Sequence, residues 1–106
     1  MPENTTPENT TPELRVNERE GQYEIYVGDT LAGYATYVDR GAARVLPHTV
    51  VFDAFQGQGL SKALIAFALD DVAAAGRTVV PQCSAVAHFI EKNPEYADLV
   101  DTGGAS

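Results

Sequence analysis

The chain has 106 residues, 44% hydrophobic and 21% charged, with a formal net charge of −8, which describes one soluble domain with room for a single modest core. Seven Lys and Arg stand against 15 Asp and Glu, so the clustered basic surface that nucleic-acid binding relies on is missing, and an acidic body suits amine-bearing partners better than anionic ones. No apolar run approaches the roughly 20 residues of a membrane span, the N-terminus lacks a basic-then-apolar signal, and one Cys with two His leaves no intramolecular disulfide and supports no metal site. A cytoplasmic monomer without membrane or nucleic-acid partners is expected.

Residues 1–13 hold a direct repeat, Pro2-Glu3-Asn4-Thr5-Thr6 followed by Pro7-Glu8-Asn9-Thr10-Thr11 and Pro12-Glu13. It carries no apolar side chain and a proline in each period, so ordering it costs entropy with nothing buried in return; a disordered tail is predicted. The Asn-Thr-Thr triplets match a glycosylation pattern that has no meaning without a secretory signal.

Alternation then predicts strands over Leu14–Arg19, Tyr23–Val27 and Leu31–Val38, an antiparallel meander. A fourth strand is predicted from Arg44 to Phe52, with Pro47 marking an edge or bulge because proline cannot donate to a ladder. Next comes a turn with two glycines, Gln56-Gly57-Gln58-Gly59, and a helical pattern from Leu60 to Ala75. Leu60, Leu64, Phe67 and Ala68 form its apolar stripe, Ile65, Leu69 and Val72 widen it, and Asp70 and Asp71 are expected as solvated charges. Gly76 stands at the C-terminal cap position. Thr78–Gln82 reads as a buried strand parallel to the fourth, after which Ser84 is expected to cap a second helix from Ala85 to Lys92 that Asn93-Pro94 ends. Tyr96, Leu99 and Val100 pack back, and Gly103 to Ser106 fray.

The strand, turn and helix around Gly57 and Gly59 carry the chemistry. The first N–H groups of a helix lack internal partners and sit at the positive end of its dipole, so a glycine-rich turn before them lets a phosphate approach; a sharp turn and nothing more is the other reading. A Rossmann fingerprint would need glycine where Lys62 stands, and a Walker loop needs Gly-Lys-Ser/Thr after a longer gap; neither fits.

The segment Gln56-Gly57-Gln58-Gly59-Leu60-Ser61 resembles the Gln/Arg-x-x-Gly-x-Gly/Ala signature of the GNAT superfamily of N-acetyltransferases, with Ser61 departing from it. His48-Thr49-x-Val51, Val80-Pro81-x-Cys83, Phe89-Ile90 and Asn93-Pro94-Glu95-Tyr96 follow in the order and spacing of the small single-domain GNAT-like proteins, so the resemblance spans Leu14 to Val100. It implies a GNAT-like α/β fold over residues 14–102, with a mixed sheet built from the N-terminal meander and a β-α-β unit that binds acetyl-CoA. Val50, Val51, Gln56, Gly57, Gln58, Gly59, Leu60, Ser61 and Lys62 are the implied cofactor-binding residues, the pyrophosphate lying on the turn's N–H groups and the acyl arm between the diverging fourth and fifth strands. Relatives commonly have Glu where Val50 stands and His where Asn93 stands.

Moving acetyl from a thioester to an amine requires a neutral amine, donors for the carbonyl oxygen and a proton for the leaving thiolate. The resemblance puts backbone donors near Val50 and Val51. Cys83 is the sharpest catalytic candidate, since a helix N-terminus favours its thiolate and the resemblance puts a cysteine here in the acetyl site; an inert buried thiol is the alternative. His48 is the candidate base, or else a strand-end structural residue. His88 is expected as an ordinary partly buried histidine and Tyr96 as a packing residue, while Lys62 and Lys92 either meet CoA phosphates or are solvated. The resulting expectation is an N-acetyltransferase that uses acetyl-CoA as cosubstrate on an amine acceptor. The alternative is a non-enzymatic CoA-binding or protein-interaction module, to which the missing acid at Val50 lends weight.

Overall fold

The structure is a computed structural model that describes residues 12–101; most of the predicted tail and the segment from Gly103 to Ser106 lie outside the described residues. The predicted meander is present as β1 (Glu13–Asn17), β2 (Gln22–Val27) and β3 (Thr30–Thr36), antiparallel throughout with Leu14 opposite Ile25 and Tyr23 opposite Ala35. The alternation that suggested these strands buries Tyr23 and Ile25 against the helices. The third strand stops two residues short of the prediction, because Val38–Arg40 leaves it as β4 and turns back into β5 (Ala43–Val45).

The predicted fourth strand is two strands. Pro47, which has no N–H to offer, separates β5 from β6 (Thr49–Val51), and the pieces join different sheets. One sheet has the order β1-β2-β3-β6 and the other β4-β5-β7, where β7 (Thr78–Val80) runs parallel to β5. The strand, helix, strand unit is therefore closed by β5 and β7, while β6 pairs antiparallel with β3. β3 and β6 come very close at Gly33, where a Cβ would lie 2.5 Å from the Val50 carbonyl oxygen, so only glycine fits.

Helix α1 (Leu60–Ala74) buries Leu60, Leu64, Ile65, Ala68, Leu69 and Val72. Its large aliphatic side chains each contribute about 1.5–3 kcal/mol by leaving water. Phe67 stands at the rim, edge-on to Tyr23 with ring centroids 5.8 Å apart. The helix ends as expected at Gly76, where the Arg77 N–H closes back on the Val72 carbonyl at 3.0 Å.

The two aspartates are bound by side chains from other elements. Asp71 accepts from the Tyr23 hydroxyl at 2.8 Å, and Asp70 accepts from the Tyr96 hydroxyl at 2.9 Å. Arg44 in turn donates to the Tyr23 oxygen at 2.8 Å, grips Asp39 at 2.6 and 2.9 Å and lies 3.8 Å from the Tyr37 ring centre. Burial, opposed by Arg44, pushes the Tyr23 phenol far above its ordinary value, and its bond to Arg44 holds the Asp39 carboxyl below. This network fastens β5 to β2 and α1.

Helix α2 spans Ser84–Lys92, one residue earlier than predicted, so its N-cap is Cys83 and not Ser84. Asn93 ends it and donates back to the Phe89 carbonyl at 2.9 Å. A 3-10 segment, Pro94–Leu99, then lays Tyr96 against Phe89. Among the described residues no helix is long and apolar enough to cross a membrane.

Candidate active site

The site is where β6 leans away from β7. Past Val45 the β5 side stays tied to β7, since the Leu46 N–H donates to Val80 at 3.0 Å and the Cys83 N–H donates to Leu46 at 2.9 Å. β6 has its partner on the opposite side. Phe52 donates to Ala32 and Thr36 donates to His48, both at 2.9 Å, with Val50 opposite Tyr34 between them. Bonded and non-bonded pairs alternate along an antiparallel ladder, so Val50 directs its N–H and C=O to Tyr34 while the backbones of Thr49 and Val51 face away from β3. Of the two residues expected to offer donors, Val51 faces the cleft and Val50 does not.

Beyond β6 a 3-10 turn, Asp53–Phe55, leads into the glycine turn. Gln56 folds its side chain back, donating to the Val51 carbonyl at 3.0 Å and to Asp53 at 3.3 Å, and so fastens the turn to the strand. Gly57 and Gly59 have φ of +84° and +74°, which L side chains rarely adopt, and nothing lies within 4 Å of where their Cβ atoms would be. Gly59 is the N-cap of α1, no side chain caps the helix, and its first turn holds no acid. The N–H groups at Leu60, Ser61 and Lys62 thus open onto an empty, positive cradle, which fits a phosphate.

Three adjoining hollows surround this splay. The first, of about 250 Å³, is bounded by Thr49 and Val51, by Phe55 and Gln56, and by Gly57, Gly59, Leu60 and Ser61. It shares Ser61 and Ala85 with a second hollow of about 630 Å³ between the helices, where Lys62, His88, Lys92 and Asn93 stand. It shares Thr49 with a third of about 480 Å³, lined by Tyr34, Pro47, His48, Val50 and Cys83 among others. His48 and Cys83 are therefore brought together, and so are the turn residues and Val51. Val50 stands on the His48 side, Gln58 is exposed and lines none of the three, and His88 is exposed rather than partly buried. Tyr96 is engaged with Asp70. Among the described residues no His, Cys, Asp and Glu cluster is built to hold a metal.

Thr49 is the site residue that sequence patterning did not single out. Its Oγ1 is the one buried side-chain polar atom among the described residues without a hydrogen bond of ordinary geometry, and it sits beside Cys83. Burial works to raise the Cys83 thiol. The Thr49 hydroxyl and the backbone N–H groups of Val86, Ala85 and Thr49 outweigh it, and together they hold the thiol below its ordinary value. Two of those N–H groups belong to the first turn of α2, so the N-cap position itself favours the thiolate.

The sequence pattern of the GCN5-related N-acetyl-transferase family matches residues 22–99. A GCN5-like protein from Staphylococcus aureus, solved in solution by NMR, superposes with a TM-score of 0.64 at 21% identity, over 88% of this chain and 94% of that one. A GNAT-family protein from Desulfovibrio desulfuricans, known at 1.85 Å, gives 0.54 at 23% identity, over 68% of this chain and 52% of its own length, so this chain spans about half of it. No curated protein sequence matches. The family pattern covers β2 and β3 of the meander, the glycine turn, both helices and Cys83, and two solved structures share the architecture: the chain belongs to the GCN5-related N-acetyltransferase family and has its α/β fold.

Proposed function

We propose that this chain is an acetyl-CoA-dependent N-acetyltransferase in which Cys83 takes up the acetyl group before an amine receives it. The supporting observation is the splay of β6 from β7, which leaves the Val51 N–H facing a cleft with the glycine turn at one end and the Cys83 thiol at the other. A long acyl thioester with a phosphorylated tail has this shape. Its pyrophosphate lies on the N–H groups of Leu60 to Lys62, its amide-bearing arm runs along β6, and its second phosphate-bearing end reaches Lys62 and Lys92. The thioester carbonyl then lies near Cys83 and Thr49, with His48 on the far side to accept the amine's proton.

Titration calorimetry with acetyl-CoA and CoA, followed by a thiol-release screen over amines, tests this reading. Binding together with amine-dependent release of CoA is expected. Binding without release favours the second reading, a CoA-binding module, which Val50 supports because it leaves no carboxylate on β6. Absence of binding overturns both.

A further inference from the structure

The hollow that holds His48 and Cys83 is the remaining face of the site, and its lining says what it accepts. Among the described residues that bound it, none is Asp or Glu. Its ionisable side chains are Tyr34, His48 and Cys83, and the rest of its wall is Pro47 and Val50 with the uncharged Thr36, Thr49, Gln82 and Ser84. The Tyr34 ring is backed by Phe52, with centroids 6.0 Å apart. The chain as a whole carries a charge of −8, yet this hollow offers a cation no counter-charge.

Basicity decides which amines react here. An alkylamine like that of lysine, with a pKa of about 10.4, is neutral in roughly one molecule in a thousand at pH 7.4, whereas an α-amine, at about 7.7–8.0, is neutral in roughly a quarter. The protonated majority would have to shed water beside Tyr34, Pro47 and Val50 with no carboxylate to pair with. An arylamine arrives neutral and brings a flat apolar body to that wall. Its weakness is poor nucleophilicity, which a good leaving group offsets. A thiol held low by the first turn of α2 leaves readily as thiolate.

We infer that the acceptor is a weakly basic aromatic amine or hydrazine, bound in the hollow formed by Tyr34, Pro47, His48, Val50 and Cys83; this rests on the acetyltransferase reading above. Two displacements complete the reaction. In the first, Cys83 sulfur bonds to the acetyl carbonyl carbon, the bond from that carbon to CoA sulfur breaks, and CoA leaves with the electron pair and takes up a proton. In the second, the amine nitrogen bonds to the same carbon and Cys83 departs as thiolate. The nitrogen's surplus proton passes to His48 and then to solvent. The sum is acetyl-CoA plus arylamine giving the N-aryl acetamide plus CoA, with nothing oxidised or reduced.

The test measures initial rates of CoA release at pH 7.4 with acetyl-CoA and, in turn, 4-methoxyaniline, phenylhydrazine, alanine amide and putrescine, with each acetylated product confirmed by mass spectrometry. The two aromatic amines are expected to be turned over at least tenfold faster than putrescine, with alanine amide between. In Val50→Glu, which adds a carboxylate to the wall, the ratio of putrescine to 4-methoxyaniline rates is expected to rise by about tenfold or more. Putrescine turned over as fast as the aromatic amines, or a ratio unmoved by Val50→Glu, overturns the acceptor assignment and leaves the transferase reading standing. Transfer to none of the four overturns both.

Discussion

Pro47 divides one apolar run into two strands of three residues each, and their fates differ. Ala43–Val45 is fully buried, paired on both sides by β4 and β7, and fastened through Arg44 to Tyr23, Asp71 and Asp39. Thr49–Val51 is half-buried and paired on one side only. The first half is paired along both edges and held as scaffold. The second half leaves one edge open, and the glycine turn, the Thr49 hydroxyl and the Cys83 thiol all gather along it. The proposed site in this small domain lies where sheet pairing is left unfinished.

The sharpest way to break the contrast is at Cys83, where the tied and the open halves meet. Acetyl-CoA incubated with the folded protein is expected to give one adduct by intact mass, removed by hydroxylamine and wholly absent from Cys83→Ala. Because the folded thiol titrates low, its thiolate fraction at neutral pH exceeds that of a free cysteine. The pH profile of iodoacetamide labelling should therefore have its midpoint lower in the folded protein than in the same protein unfolded in urea. Full amine acetylation by Cys83→Ala would instead assign transfer to direct attack assisted by His48.

Next in size is Gly59→Glu, which puts a side chain and a negative charge into the cradle. Acetyl-CoA affinity is expected to fall by about 100-fold, or roughly 2.7 kcal/mol, while circular dichroism remains that of the folded domain. Undiminished calorimetric binding by the folded variant would remove the phosphate role of the turn.

Val51→Pro tests the open edge directly. The Val51 N–H does not face β3, so proline there spares the ladder; the thermal midpoint should change little while acetyl-CoA affinity falls by about tenfold, or 1.4 kcal/mol. Equal affinity would mean that β6 contributes no backbone donor.

Tyr23→Phe does the reverse on the tied half. It removes the hydroxyl between Arg44 and Asp71 and should cost about 1 kcal/mol of stability in urea unfolding, with acetyl-CoA affinity unchanged. A matching loss of affinity would show that the network positions the site as well as the scaffold.

Much of this was legible because it is local. The α1 stripe, its glycine cap and the glycine turn before it are spacing patterns within one segment, and the structure has the helix and the sharp turn where they were expected. What was not legible required knowing which strands pair. Proline at 47 was read as an edge or bulge; only the sheet order shows that the chain changes sheet there. Asp70 and Asp71 were read as solvated because their partners, Tyr96 and Tyr23, are 26 and 48 residues away. Thr49 stands within the predicted fourth strand and the His48-Thr49-x-Val51 motif, but its place beside a cysteine 34 residues later needs the fold. The first residue of α2 was misplaced by one because serine is the common cap, and the chain uses the cysteine before it.

That choice of cap sets two demands against each other at one position. Ser, Thr, Asp and Asn at an N-cap stabilise a helix by about 0.5–2 kcal/mol over residues that cannot bond its first N–H groups, and Cys83 makes no such side-chain bond. The chain forgoes that stabilisation and keeps at the helix start a sulfur whose ionised form the Ala85 and Val86 N–H groups favour. Selection for thermal robustness alone would replace Cys83 by serine or aspartate. On the proposed function, the resulting protein would have a firmer α2 and no thiol to take up the acetyl group, a local trade of stability for reactivity.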